Sequence, residues 1–110
     1  MNDRDLLEMA AKAAGVIGVW ATAHQTYGDQ HIEGIDSGAR FWWNPLADDG
    51  DALRLAVKLG FAVSVCKDMP TGDFTCVLDV AGSEFHDGDP YAATRRAIVR
   101  AAAEIGKATP

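Results

Sequence analysis

Residues 61–67 and 73–81 are two runs rich in branched and aromatic side chains, separated by Met69-Pro70-Thr71-Gly72. Both suit a pleated surface, and proline followed two residues later by glycine suits a type I turn with a left-handed bulge residue. A hairpin closed there pairs Met69 with Asp73 and Cys66 with Cys76. Ala62, Ser64, Cys66, Cys76, Leu78 and Val80 then share one face, and Phe61, Val63, Val65 and Val77 the other. Both faces are largely apolar, so the sheet needs cover on both sides. That requirement excludes a one-sided sheet in water and calls for helices on each side.

The chain supplies three helices. Asn2 or Asp3 can cap a first one over residues 3–14, whose stripe of Leu6, Leu7, Ala10 and Ala14 runs to a stop at Gly15. A second follows Asn44-Pro45, which ends any preceding strand. Its stripe is Ala52, Leu55, Ala56 and Leu59, its stop is Gly60, and Asp48, Asp49 and Asp51 in its opening turn cap it and oppose its dipole. A third starts at Asp89-Pro90, with Tyr91, Thr94, Ile98, Ala101 or Ala102, and Ile105 predicted to face inward. Residues 81–88 read as a loop. Upstream, residues 16–23 form a strand, Tyr27-Gly28-Asp29 a turn, residues 30–36 a weaker strand with a bulge, and residues 39–43 a short third strand. With 110 residues, the chain makes one domain able to bury roughly two thirds of its unfolded surface.

Charge narrows the partners. The net charge is −6, divided as −9 over residues 1–89 and +3 over residues 90–110. The acidic majority repels a phosphate backbone, so nucleic acid is not the expected partner. Arg95, Arg96 and Arg100 cluster on the third helix as a candidate anion contact, or as a solvated face opposing the acidic remainder. No run approaches the ~20 apolar residues of a membrane span, and the first fifteen residues interleave charge with apolar side chains, unlike a secretory leader. A cytoplasmic location is the expectation. Cys66 and Cys76 lie outside zinc-site and CxxC spacing and read as small packing thiols.

Candidate chemistry is sparse. His24, His31 and Asp36 have no recognised metal-ligand spacing, His86 with Asp87 and Asp89 is explained by a loop and a cap, and Asp48-Asp49-Gly50-Asp51 does not match a calcium-loop register. Neither a nucleophile elbow nor a phosphate loop is present. The expectation is therefore a non-enzymatic protein with no metal and no cofactor. Trp42, Trp43 and Asn44 are the candidate binding residues. Neighbouring strand residues point to opposite faces, so both indoles fit the interior only if each lies under a different layer.

Two longer stretches carry a resemblance. Trp43-Asn44-Pro45-Leu46 followed by Asp48-Asp49-Gly50-Asp51-Ala52-Leu53-Arg54-Leu55-Ala56-Val57, and the closing Ala93-Thr94-Arg95-Arg96-Ala97-Ile98-Val99-Arg100-Ala101-Ala102-Ala103-Glu104, resemble small phage and prophage proteins of the phage ABA-sandwich family. With Ala10-Ala11-Lys12-Ala13-Ala14-Gly15 the resemblance covers almost the whole chain. It implies an α+β fold: an α/β/α sandwich with a mostly antiparallel sheet of four or five strands and three helices on both faces. It brings no reaction or catalytic residues with it. The functional expectation is a cytoplasmic phage or prophage accessory protein that binds a phage or host protein or forms a homodimer. The alternative is a nucleotide-like small-ligand binder, marked by a concave pocket beside Trp42 and Trp43; a hydrolase ranks last and requires a His or Asp pair converging in a cleft.

Overall fold

The computed structural model describes residues 1–24 and 31–110. Over these residues the order is α1 (Asp3–Ala14), β1 (Val19–His24), β2 (His31–Asp36), α2 (Asp49–Leu59), β3 (Val63–Cys66), β4 (Phe74–Val77), β5 (Ala81–Phe85) and α3 (Pro90–Ala108). The α+β class, with three helices and antiparallel strands, is as expected, but the single sheet of four or five strands is not formed: among the described residues the strands divide into a β1–β2 pair and a β3–β4–β5 sheet. The expected turn at Tyr27-Gly28-Asp29 lies outside the described residues.

Helix ends follow their local chemistry. The Asn2 side chain accepts from the Asp5 N–H, Asp48 from Asp51 and Asp89 from Ala92, each filling an orphan donor that an Ala cap would leave open at a cost of ~1 kcal/mol. Gly15 and Gly60 end α1 and α2 in the left-handed region, at φ 73° and 71°.

Between them, α1 and α3 hold the molecule together. Leu6, Leu7, Ala10, Ala11 and Ala14 of α1 are buried, as are Ala93, Ala97, Ile98, Val99, Ala101, Ala102, Ala103 and Gly106 of α3. A helix buried around so much of its circumference must be covered on several sides. α3 packs on α1, α2, β4 and β5. Tyr91, expected to face inward, is instead 70% exposed. It sits in the first turn of α3, where it lines a cleft instead of entering the core.

In the larger sheet Val63 pairs with Val77, Ser64 with Cys76, Val65 with Thr75 and Cys66 with Phe74. The expected register is thus displaced by two residues. Asp68 adopts φ 60° and its N–H binds the Asp73 carboxylate at 2.8 Å, which lengthens the connection, although Gly72 still closes on the Met69 carbonyl at 3.0 Å. A displacement of two keeps the paired residues on their predicted faces, whereas Leu78 and Val80 fall outside β4. Residues 81–88 are not all loop. Asp79, at φ 67°, reverses the chain so that Ala81–Phe85 pairs with β4, with a bulge at Cys76/Val77. β1 and β2 pair without interruption from Val19↔Asp36 to His24↔His31, so the bulge expected there is absent. Residues 39–43 contribute one isolated bridge, Ile35↔Trp43, in place of a third strand.

Among the described glycines the tightest surroundings are at Gly106, where an added Cβ would run into the backbone carbonyl of Met9. Backbone cannot give way as a flexible side chain can. Gly106→Ala is expected to destabilise the protein by about 1–3 kcal/mol despite alanine's better helix propensity. Urea unfolding would measure this, and an unchanged or raised midpoint would rule out the close α1–α3 contact.

Candidate functional site

The stretch from Phe41 to Leu53 is mostly a structural joint. The Asn44 side-chain NH2 donates to the Glu33 carbonyl at 2.8 Å, and its side-chain oxygen accepts from the Leu46 and Ala47 N–H groups at 3.0 and 3.2 Å. Its backbone N–H donates to Asp51 at 3.0 Å. One residue thereby ties β2, the turn and the start of α2 together, and Pro45 beside it is fully buried. Trp42 and Trp43 are both half-buried, with Trp43 packed on the core. Gly34 makes room for them: a Cβ there would lie 2.8 Å from the Trp43 carbonyl oxygen and 3.2 Å from Trp42 Cβ. The aromatic that is exposed is Phe41, with the Arg40 guanidinium 5.4 Å from its ring centre.

The three arginines are held apart by three different carboxylates. Arg95 donates to the Leu46 carbonyl at 2.8 Å and to Asp49 at 2.7 Å, Arg96 pairs with Asp3 at 2.8 Å, and Arg100 pairs with Glu84. They tie α3 to the start of α2, to α1 and to β5. The cross-strand register places His31 opposite His24, with Asp36 at the other end of the hairpin, and His31 faces Glu33 at 3.3 Å. Cys66 and Cys76 are free, half-buried thiols on one face of the sheet.

Sequence reasoning missed the site the fold does assemble. Between α2, the start of α3 and β3 lies a cleft of about 520 Å³, within the range of small-molecule pockets. Ala52, Ala56, Val63, Val65 and Ile98 make its walls apolar, and neither tryptophan lines it. Around its rim Leu53 is 65% exposed and Val65 51%, with Val57 at 72% on the next turn of α2. β3 is an edge strand of its sheet, so unpaired backbone groups run beside this apolar surface.

At one end of the cleft a polar chain is built into the wall. Thr75, fully buried on β4, lies 2.9 Å from His86 Nε2 and 2.8 Å from the Thr94 hydroxyl. His86 is 8% exposed and, with Thr94, lines the cleft. Its position follows from backbone geometry. The His86 N–H donates to the Asp73 carbonyl, and Asp87 and Gly88, at φ 48° and 89°, turn the chain into the Asp89 cap. Lys67, Asp49 and Arg95 complete the charged groups of the lining. This arrangement can hold an apolar group and hydrogen-bond one polar end of it.

No protein-family model, curated protein or solved structure matches the chain.

Among the described residues Thr75 is what links His86 to Thr94, so Thr75→Val takes from the imidazole nitrogen its partner in the cleft wall. A loss of about 1–3 kcal/mol in unfolding free energy is expected, with Thr75→Ser losing less. Equal stabilities for Val and wild type would remove the polar chain as a structural element.

Proposed function

We infer that the chain is a non-enzymatic binding protein that works through the cleft between α2, α3 and β3. One observation carries this reading: apolar side chains stand exposed around a concave, apolar-walled cleft and beside an open strand edge. Exposed apolar surface that gathers at a concavity is the usual mark of a binding face, whereas scattered single residues are not. An extended segment can add to the β3 edge while placing a side chain in the cleft, which supplies both backbone hydrogen bonds and selectivity.

The setting is that of a small phage or prophage accessory protein in the cytoplasm. It is supported by the sequence resemblance, by the acidic balance of the chain and by the observation that no helix among the described residues is long and apolar enough to cross a membrane. Its partner is a phage or host protein, or a second copy of the same chain covering the rim.

Self-association is tested by size exclusion with light scattering. If the rim is the interface, the mass rises from monomer toward dimer across micromolar concentrations, and Leu53→Glu together with Val57→Glu holds the protein monomeric without loss of unfolding cooperativity. A wild-type monomer throughout would remove the homodimer and leave the cleft to a different partner.

A further inference from the structure

We propose that the cleft is a site for a small apolar carboxylate, its hydrocarbon body among Ala56, Val63 and Ile98 and its carboxylate at the end marked by Lys67, Thr94 and His86. This rests on the reading of the cleft as a binding face and goes beyond the protein partner proposed there, giving the interior of the cleft a small-molecule occupant of its own.

Charge supplies the first ground. Among the Asp, Glu, Lys and Arg of the lining, Lys67 and Arg95 stand against Asp49, a net of one positive charge, in a chain whose net charge is −6. Arg95 is committed to Asp49 and to the Leu46 carbonyl. Lys67 has no ion-pair partner among the described residues. It lines both this cleft and the smaller neighbouring one, as do His86 and Pro90, so these residues mark the end at which the two clefts meet; Asp73 and Asp87 line only the smaller one, and the Asp73 carboxylate already accepts from the Asp68 N–H. An unpaired cation at one end of an apolar channel suits a ligand with one anionic end.

The polar chain supplies the second. Each threonine hydroxyl has one proton, so the sequence His86 Nε2, Thr75 Oγ1, Thr94 Oγ1 has two polarities. With a proton on Nε2, the imidazole donates to Thr75, Thr75 donates to Thr94, and the Thr94 proton is left for the cleft. With Nε2 bare, Thr75 donates to it, Thr94 donates to Thr75, and Thr94 offers the cleft only lone pairs. A carboxylate only accepts hydrogen bonds. It therefore selects the first polarity and fixes the imidazole with its proton on Nε2, whereas an alcohol is served by either. Binding at Thr94 is read out at a nitrogen that never touches the ligand.

The test titrates the full chain with sodium decanoate, decanol and decyltrimethylammonium, following methyl groups and the His86 imidazole nitrogens by NMR. Decanoate should bind saturably, shift the Ala56, Val63, Val65 and Ile98 methyls and move His86 to the Nε2-protonated form. Decanol should bind about tenfold more weakly and the ammonium more weakly still. Lys67→Met, a change at an exposed position, should weaken decanoate about threefold, and Thr94→Val about fivefold with loss of the imidazole response. Decanol binding as tightly as decanoate, or a preference unchanged in both variants, would overturn the carboxylate assignment and leave the cleft as an apolar binding face. If none of the three compounds shifts those methyls, the reading of the cleft as a binding face falls with it.

Discussion

The approach of α3 to α1 is the contact on which the rest of the structure depends. Gly106 lies against the Met9 backbone, and alanines at 10, 11 and 14 of α1 and at 97, 101, 102 and 103 of α3 are buried with it. Small side chains bury little surface each, but they let two backbones come close, and many weak dispersion contacts accumulate over the shared length. With α1 on one side, α3 also receives β4, where Thr75 and Val77 are buried, β5, where Glu84 pairs with Arg100, and α2, where Ala52, Leu55 and Ala56 join the core. The ion pairs Arg95–Asp49, Arg96–Asp3 and Arg100–Glu84 fall around this packing and fix its orientation more than its strength.

The cleft is a consequence of that arrangement. α2 is held at its start by Arg95, which reaches both Asp49 and the Leu46 carbonyl, and by Asn44, which joins the turn to β2. It packs against α3 through its alanines, and Leu53 and Val57 are left facing outward. Tyr91, Thr94 and Ile98 of α3 line one side of the space whose other wall includes Val63 and Val65 of the edge strand. His86 is drawn into the end of this space by its backbone bond to Asp73. The apolar cleft and its polar end thus arise from how three elements stop short of covering one another.

Much of the fold was legible because its signals are local. Asn2, Asp48 and Asp89 act within three residues of themselves, glycines 15 and 60 end their helices, and the two-sided apolar hairpin was correct in face although displaced in register. β5 was hidden because a left-handed aspartate, Asp79, makes its turn in a run that otherwise reads as one strand. The site was hidden for a different reason. Thr75, His86 and Thr94 come from a strand, a loop and a helix, and nothing in their spacing declares that their polar atoms meet. The Asp89 cap accounted for the aspartates beside His86 and masked the histidine itself. The pairing of Trp42 and Trp43 looked chemical, yet the room that Gly34 leaves beside them lets both lie half-buried. Lys67 gave no sequence signal at all, since an exposed lysine acquires meaning only from the apolar walls beside it.

The decisive question is whether the cleft stands open in solution in the protein alone. Methyl relaxation in the presence of a small, soluble paramagnetic agent answers it directly, because the effect falls steeply with distance from solvent. An open cleft predicts strong broadening at Leu53, Val57 and Val65, partial broadening at Val63 and Ile98, and none at Val77 and Val99. If the Leu53 and Val65 methyls were as protected as that of Val99 in the isolated monomer, the cleft would be closed by the protein itself, and the binding face would have to be sought elsewhere.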